Sequence, residues 1–245
     1  RTRIEQARSA APFLSDILGQ HTLSINGSLY LTPDAIIDRL AGDENFRAQI
    51  RPELVYISHG DIHCNNILCG IPAKRMILLD CRGKSPDGTP YFDVAYDIAK
   101  IFHDLRSLYS LIEKHYFSVF MRKDSSGVSV TYEFNRKDLV ERFHRNCVWV
   151  EQIIDERLTG FGNLRYRANF TEAMLYLTMV PLHLRSEAEG LMCLITGIER
   201  LNEWLAEYHP AILDELVGKL VPFADSDRVF NRTIARERVA TKEQT

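Results

Sequence analysis

Apolar residues recur at helical spacing along most of the chain, so the hydrophobic pattern predicts a mainly helical protein. Residues 1–58 are predicted to be mainly helical, with a turn at 26–27 and a helix that begins at Pro33. An apolar stripe from position 93 to about 121 predicts a further helix. The same spacing predicts four later helices, over residues 137–158, 168–184, 190–208 and 211–220.

Short runs of branched and aromatic residues interrupt this helical pattern between positions 54 and 92. Residues 54–57 and 76–79 are predicted to be short buried strands that flank a loop. Residues 128–134 alternate between apolar and polar side chains, which indicates one more strand. The predicted fold class is therefore mainly α with a small β element (α+β), and we expect residues 1–245 to form a single domain.

Composition and charge exclude several classes of protein. The 245 residues include 30 Lys+Arg and 33 Asp+Glu, so the net charge is −3 and no cationic excess indicates a nucleic-acid partner. No apolar run approaches the roughly 20 residues that a membrane-spanning helix needs, and we expect no membrane partner. Five cysteines, an odd number, are typical of reduced thiols and predict a cytoplasmic location.

Polar residues in two neighbouring segments, 58–68 and 78–83, form the candidate chemistry of the chain. Asp61 and Asn66 lie on one loop, and Asp80 follows an apolar strand that leads back toward it. A carboxylate and an amide oxygen are hard ligands that suit Mg²⁺, which keeps waters and substrate phosphates in its other positions. A further carboxylate could accept the proton of an attacking hydroxyl, so the set predicts phosphoryl transfer.

Three ordered motifs carry a resemblance to a known family: His59-Gly60-Asp61 with Asn66, Leu79-Asp80 with Gly83, and residues 93–99. In this order and spacing the chain resembles the aminoglycoside phosphotransferase (APH) and choline kinase-like family. The resemblance implies a protein-kinase-like C-terminal lobe that uses ATP and Mg²⁺. The acceptor it implies is a small molecule with a hydroxyl group, which is aminoglycoside-, sugar- or choline-like.

The resemblance also implies a role for individual residues. Asp61 would be the catalytic base that orients the acceptor hydroxyl, and Asn66 and Asp80 would hold Mg²⁺ against the nucleotide phosphates. His59 would shape the loop without reacting. Asp97 would accept hydrogen bonds from the backbone of that loop and fix it in place.

Arg82 lies in the segment after Asp80, where it would contact a phosphate or an acidic substrate. The chain departs from the family because nothing upstream of His59 supplies a glycine-rich loop and a lysine to cover phosphates. Its only Gly-x-Gly, at 160–162, lies downstream among predicted helices. We therefore expect the nucleotide-binding lobe to lie elsewhere in the same polypeptide, and we expect this lobe alone to be inactive.

Two alternatives to a kinase remain at this point. A kinase-like module could bind a ligand or regulate a partner without chemistry, although such a module has no physical need for all three polar residues. A hydrolase is less favoured, because the chain has no Gly-x-Ser-x-Gly motif. Cys64, Cys69 and Cys81 lack the spacing of a zinc site, so we expect them to be buried reduced thiols.

Overall fold

The computed structural model describes residues 2–53, 56–70, 75–84, 88–125 and 127–221. Within these residues the helices are α1 (Thr2–Ala10), α2 (Pro12–Leu18), α3 (Pro33–Ala41), α4 (Glu44–Gln49), α5 (Val94–Leu105), α6 (Tyr109–Glu113), α7 (Lys137–Arg157), α8 (Leu164–Met179), α9 (Glu187–Tyr208) and α10 (Pro210–Leu220). The strands are β1 (Thr22–Ile25), β2 (Ser28–Leu31), β3 (Tyr56–Ile57), β4 (Ile67–Gly70), β5 (Arg75–Leu78), β6 (Tyr91–Phe92), β7 (Phe117–Asp124) and β8 (Gly127–Phe134).

The chain divides into two compact units. The first unit contains the residues up to Arg47, the segment Ser118–Glu133 and the residues from Ala173 onward. Its sheet has the strand order β2-β1-β8-β7, in which β1 pairs antiparallel with β2 and parallel with β8. Asn26 and Gly27 both have positive φ angles, 49° and 85°, which provides the tight turn between β1 and β2.

Helix α9 lies at the centre of the core of the first unit. Its buried face includes Trp204, which is 1% exposed and meets the ring of Phe46 edge-on at a centroid distance of 5.9 Å. Asn202 is also 1% exposed, and its amide bonds both the N–H and the carbonyl of Leu31, at 3.0 and 2.8 Å. This buried amide satisfies a backbone position at the end of β2 that the sheet leaves unpaired.

The second unit contains Ala48–Phe117 and Phe134–Glu172 and carries all of the predicted site residues. Two short antiparallel ribbons, β3–β6 and β4–β5, lie in it together with α5, α6 and α7. Helix α5 contributes the apolar face around which this unit is packed. The buried side chains of its core are Ala95, Ile98, Phe102, Leu105, Cys147, Ile154, Leu164 and Ala168.

The mainly helical α+β class is confirmed, and most of the later helices form where the periodicity predicts them. α7, α9 and α10 match their predicted ranges closely, and β8 is the predicted alternating strand. Leu54 and Val55, half of one predicted strand, and the tail after Phe223 lie outside the described residues. No helix within the described part of the chain is both long and apolar enough to cross a membrane.

One helical prediction is wrong, and one hairpin was not predicted. Residues 22–31, where the sequence predicted only a turn at 26–27, form the hairpin of β1 and β2. The helix predicted from position 93 to about 121 ends at Leu105 and is followed by α6 and then β7, because Leu108 and His115 adopt left-handed φ angles of 62° and 54° that no helix continues through. Trp149, a large apolar side chain on α7, is 63% exposed.

Candidate functional site

The backbone of the loop that begins at His59 is held by one carboxylate on α5. The N–H of His59 donates to Oδ2 of Asp97 at 2.9 Å, and the N–H of Gly60 donates to Oδ1 at 2.8 Å. These are the hydrogen bonds expected of Asp97. Because hydrogen bonds to a charged acceptor are stronger than neutral ones, they fix the loop firmly to the helix.

The two polar segments of the sequence are joined to each other through their backbones. The N–H of Leu79 donates to the carbonyl of Asn66 at 2.8 Å, which extends the β4–β5 pairing by one residue. The N–H of Arg82 donates to the carbonyl of His59 at 2.9 Å. Asp80 lies between these two links, so the structure brings its backbone beside the loop that carries the other predicted residues.

Asn66 closes the loop on itself. Its side-chain Nδ2 donates to the carbonyl of Asp61 at 2.9 Å, across one short 3₁₀ turn at Cys64–Asn66. The N–H of Asp61 in turn donates to Nδ1 of His59 at 3.3 Å, which matches the predicted loop-shaping role of that histidine. The amide oxygen Oδ1 of Asn66 accepts no hydrogen bond from the described residues and is available to a ligand.

The carboxylate of Asp61 lies at the surface end of the loop, where its side chain is 32% exposed. Its Oδ1 is 2.7 Å from the ammonium group of Lys100, whose side chain is only 13% exposed. Within the described residues Oδ2 has no partner. One oxygen of Asp61 is therefore held by a lysine of α5, and the other can accept a hydrogen bond from a substrate.

Asp80 is exposed and has a φ angle of +53°, a left-handed conformation that aspartate tolerates better than most residues. Strained positions of this kind cluster at functional sites. Its carboxylate makes no hydrogen bond with the described residues. The Asp80 carboxylate and the amide oxygen of Asn66 are oxygen ligands of the kind that Mg²⁺ prefers.

Arg82 lies against the same loop. One guanidinium nitrogen donates to the hydroxyl of Tyr96 at 2.9 Å, and the guanidinium carbon is 5.6 Å from the centre of that ring. Burial raises the pKa of Tyr96 above its ordinary value, so the phenol stays protonated at neutral pH. Among the described residues the guanidinium has no other side-chain partner, and the contact of Arg82 with a phosphate or an acidic substrate stays a prediction.

Two residues of α5 that support this site were missed by sequence reasoning, Lys100 and Asp104. Asp104 is fully buried, and its carboxylate accepts from the N–H of Cys64 at 2.7 Å and from the N–H of Ser110 at 2.9 Å. Asp97, Lys100 and Asp104 recur at i, i+3 and i+7, which places them on one face of the helix. The row of charged residues on one face of an otherwise apolar helix could have indicated these supporting residues, because a buried charge needs a partner.

The cysteine prediction is wrong in one respect. Cys64, Cys69 and Cys81 are free but exposed, whereas Cys147 and Cys193 are free and buried. Desolvation of its sulfur and the neighbouring carboxylate of Asp104 raise the pKa of Cys64 to about 12, so its thiol stays protonated. Among the described residues no group of three or more histidine, cysteine, aspartate and glutamate side chains is arranged to hold a metal ion.

Comparison of the chain with known protein families, with curated proteins and with solved structures gave no match.

Proposed function

We propose that this chain is the catalytic lobe of a small-molecule kinase that transfers the γ-phosphoryl group of ATP to a hydroxyl. One observation carries the proposal: Leu79 and Arg82, on either side of Asp80, are hydrogen-bonded through their backbones to the loop that presents Asp61 and Asn66. Phosphoryl transfer asks a protein mainly for positioning and charge, and these three side chains provide both. The resemblance to the aminoglycoside phosphotransferase and choline kinase-like family, with its protein-kinase-like C-terminal lobe, supports the same assignment.

In this proposal Asp61 orients the acceptor hydroxyl through its free Oδ2. As the bond from the hydroxyl oxygen to the γ-phosphorus forms, the bond to the β–γ bridging oxygen breaks and ADP leaves. The hydroxyl proton passes to the Asp61 carboxylate and from there to solvent. Asn66 and Asp80 would hold Mg²⁺, which supplies neutralisation of the phosphate charge when it is bound.

An apolar surface beside these residues supports a nucleotide as the donor. Several side chains of β4 and β5 and of the residue that follows are exposed by between 38% and 66%: Leu68, Met76, Ile77, Leu78 and Leu79. Because side chains alternate between the two faces of a strand and Leu68 pairs with Ile77, one face of this ribbon carries Leu68, Ile77 and Leu79. Exposed apolar side chains grouped on one face mark binding surfaces in soluble proteins. A flat aromatic base suits such a surface, and its phosphates would then lie near Asn66 and Asp80.

The nature of the acceptor stays open among amino sugar, sugar and choline-like alcohols. Helix α7 does not favour an acidic pocket for a cationic acceptor, because two of its carboxylates already lie beside arginine side chains. Arg165 pairs with Asp155 at 2.6 Å, and Arg106 lies 3.6 Å from Glu151. Lys100, which contacts Asp61, and Arg82, which lies against the same loop, are cationic and favour the neutral sugar among these three over an amino sugar or a choline-like alcohol.

The test measures Mg²⁺-dependent release of ADP from ATP by the full-length protein with an aminoglycoside, a simple sugar or choline supplied in turn as acceptor, and with Asp61→Asn and Asp80→Asn as variants. Loss of the base is expected to lower kcat by on the order of a hundredfold or more. Loss of the Asp80 carboxylate is expected to raise the Mg²⁺ concentration needed for turnover, because a charged ligand is removed. Asp214→Asn, at an exposed position of α10, is the matched control and should leave turnover unchanged.

Two outcomes would contradict the proposal. A wild-type protein that binds ATP but releases no ADP would favour the ligand-binding or regulatory module. Near-normal kcat in Asp61→Asn would show that this carboxylate is not the base. In both experiments thermal unfolding of each variant reports whether the fold has survived.

A further inference from the structure

In the ion pair between Lys100 and Asp61, the lysine side chain is less exposed to solvent than the carboxylate that it contacts. The ammonium group is 2.7 Å from Oδ1 of the carboxylate, and the two side chains are 13% and 32% exposed. No other hydrogen bond of this ammonium group lies within the described residues. A lysine with so little exposure needs a counter-charge, and the carboxylate of Asp61 is the one it meets.

Contacts at three places hold α5, the helix that carries Lys100. Its apolar face lies in the core of the second unit through Ile98 and Phe102. Its first turn is capped by Asp93, which accepts from the N–H of Ala95 at 2.9 Å. Its polar face holds the loop backbone through Asp97, one turn before Lys100. The base of the Lys100 side chain is therefore immobile relative to the loop that presents Asp61.

We propose that Lys100 is a positioning residue that holds the carboxylate of Asp61 in the orientation needed to accept the acceptor proton. This inference rests on the proposed function, because it assumes that Asp61 is the base. By occupying Oδ1, the ammonium group leaves Oδ2 as the oxygen that faces a substrate. Without it the carboxylate turns freely about its terminal bond, and the productive orientation becomes one of many.

A positioning role and a purely structural role of this ion pair predict different effects of removing Lys100. Replacing Lys100 by methionine removes its charge, and the Asp61 carboxylate left behind is about one-third exposed and can be stabilised by water, so the cost to folding should be small, on the order of 1 kcal/mol. The fold should therefore survive the loss of Lys100, while the rate depends on it. The effect is expected in kcat and not in the KM for ATP, since Lys100 acts on the base and not on the nucleotide.

The experiment compares Lys100→Met, Lys100→Arg and the control Lys137→Met in the full-length protein. Lys137 is an exposed lysine at the start of α7. ADP release from ATP and Mg²⁺ is measured in the presence of the acceptor that supports turnover by the wild type, with Asp61→Asn as the reference. Lys100→Met is expected to lower kcat by roughly a hundredfold, with the KM for ATP within about twofold of wild type. Lys100→Arg is expected to restore most of the rate, because it returns a cation to Oδ1.

The outcomes separate this inference from the proposed function. If wild type does not turn over ATP, or turnover does not depend on Asp61, both fall together. If turnover depends on Asp61 but Lys100→Met retains wild-type kcat, only the positioning role is overturned. Equal losses in Lys100→Met and Lys100→Arg also overturn it, because a positioning charge is replaced by arginine. Urea unfolding of both variants identifies any loss that reflects an unfolded protein.

Discussion

Gly60 shows how strictly one residue determines the geometry of the loop. Its φ angle is +76°, and a Cβ added to it would lie 2.9 Å from Cβ of Arg82 and 3.2 Å from Cζ of Phe92. The backbone N–H of the same residue donates to Asp97. The glycine therefore allows three segments of the second unit to approach one another, and any side chain there must push one of them away.

Replacing Gly60 by alanine is expected to lower the free energy of unfolding by roughly 1–3 kcal/mol, because it combines a positive φ with a steric overlap. Urea unfolding monitored by circular dichroism measures the change. Gly42→Ala is the control, since Gly42 has a φ angle of −85° and no atom within 4 Å of an added Cβ. Equal stability of the two variants would contradict the close approach at Gly60.

At the scale of single residues, the sequence predicted the residues of the loop motif better than the residues of α5 that hold the loop in place. His59 and Asp97 make the contacts expected of them, because motif spacing reports which residues share a loop. Lys100 and Asp104 were missed because a polar residue on an amphipathic helix is usually solvated, and only packing shows that Asp104 is buried and Lys100 largely covered. Trp149 is the converse case, since it is large and apolar yet exposed, and hydropathy alone does not report exposure.

At the scale of elements, α5 organises the second unit through its two ends and its two faces. Its N-terminal Asp93 is 8% exposed and pairs with Arg167, whose side chain is 4% exposed. The two guanidinium nitrogens lie 2.8 and 3.2 Å from the two carboxylate oxygens. The same guanidinium reaches the carbonyl of Gly162 and the carboxylate of Glu53. The start of the helix that holds the loop is thus fixed by a buried ionic pair.

Replacing Arg167 by methionine leaves the buried carboxylate of Asp93 without its counter-charge. We expect the free energy of unfolding to fall by roughly 3–5 kcal/mol. The double variant Arg167→Met with Asp93→Asn should recover part of that loss, because no buried charge is then unpaired. Arg142→Met, at an exposed position of α7, is the control and should change stability little. Additive losses in the double variant would contradict the pairing.

Element boundaries were predictable where apolar periodicity extends over several turns, as in α7, α9 and α10. They were not predictable where the chain reverses within a few residues. β1 and β2 have four residues each, too few for alternation to be distinguished from one turn of a helix. The break after Leu105 depends on Asp104 bonding the N–H of Ser110, which is a contact that no local pattern reports.

At the scale of the whole molecule, stability should depend on pH through Glu199 on α9, a buried acid of the first unit. The side chain is 8% exposed, and the hydroxyl of Tyr132 donates to its Oε2 at 2.9 Å. Burial raises its pKa from the ordinary value of 4.5 to about 7, with Arg200 opposing the rise and Glu203 adding to it. At neutral pH a substantial part of the population therefore carries this side chain protonated.

The sign of the effect follows from proton binding. Between pH 4.5 and about 7 the folded chain holds a proton on Glu199 that the unfolded chain releases, so stability falls as pH rises. We expect a loss of roughly 3 kcal/mol between pH 4 and pH 8 relative to Glu199→Gln, which cannot ionise. Urea unfolding of both proteins across this range measures the difference. Parallel stability curves for wild type and variant would contradict the raised pKa.

The exposed ribbon of β4 and β5 also has a consequence for handling the protein. Each of its strands pairs on one side only among the described residues, and Met76 and Ile77 are 66% and 54% exposed. Short apolar strands with an open edge are templates for pairing with a second copy of the chain. Purification and storage at high concentration therefore favour precipitation through this ribbon, and a charged substitution at Ile77 would improve solubility at the expense of the apolar surface proposed for the nucleotide base.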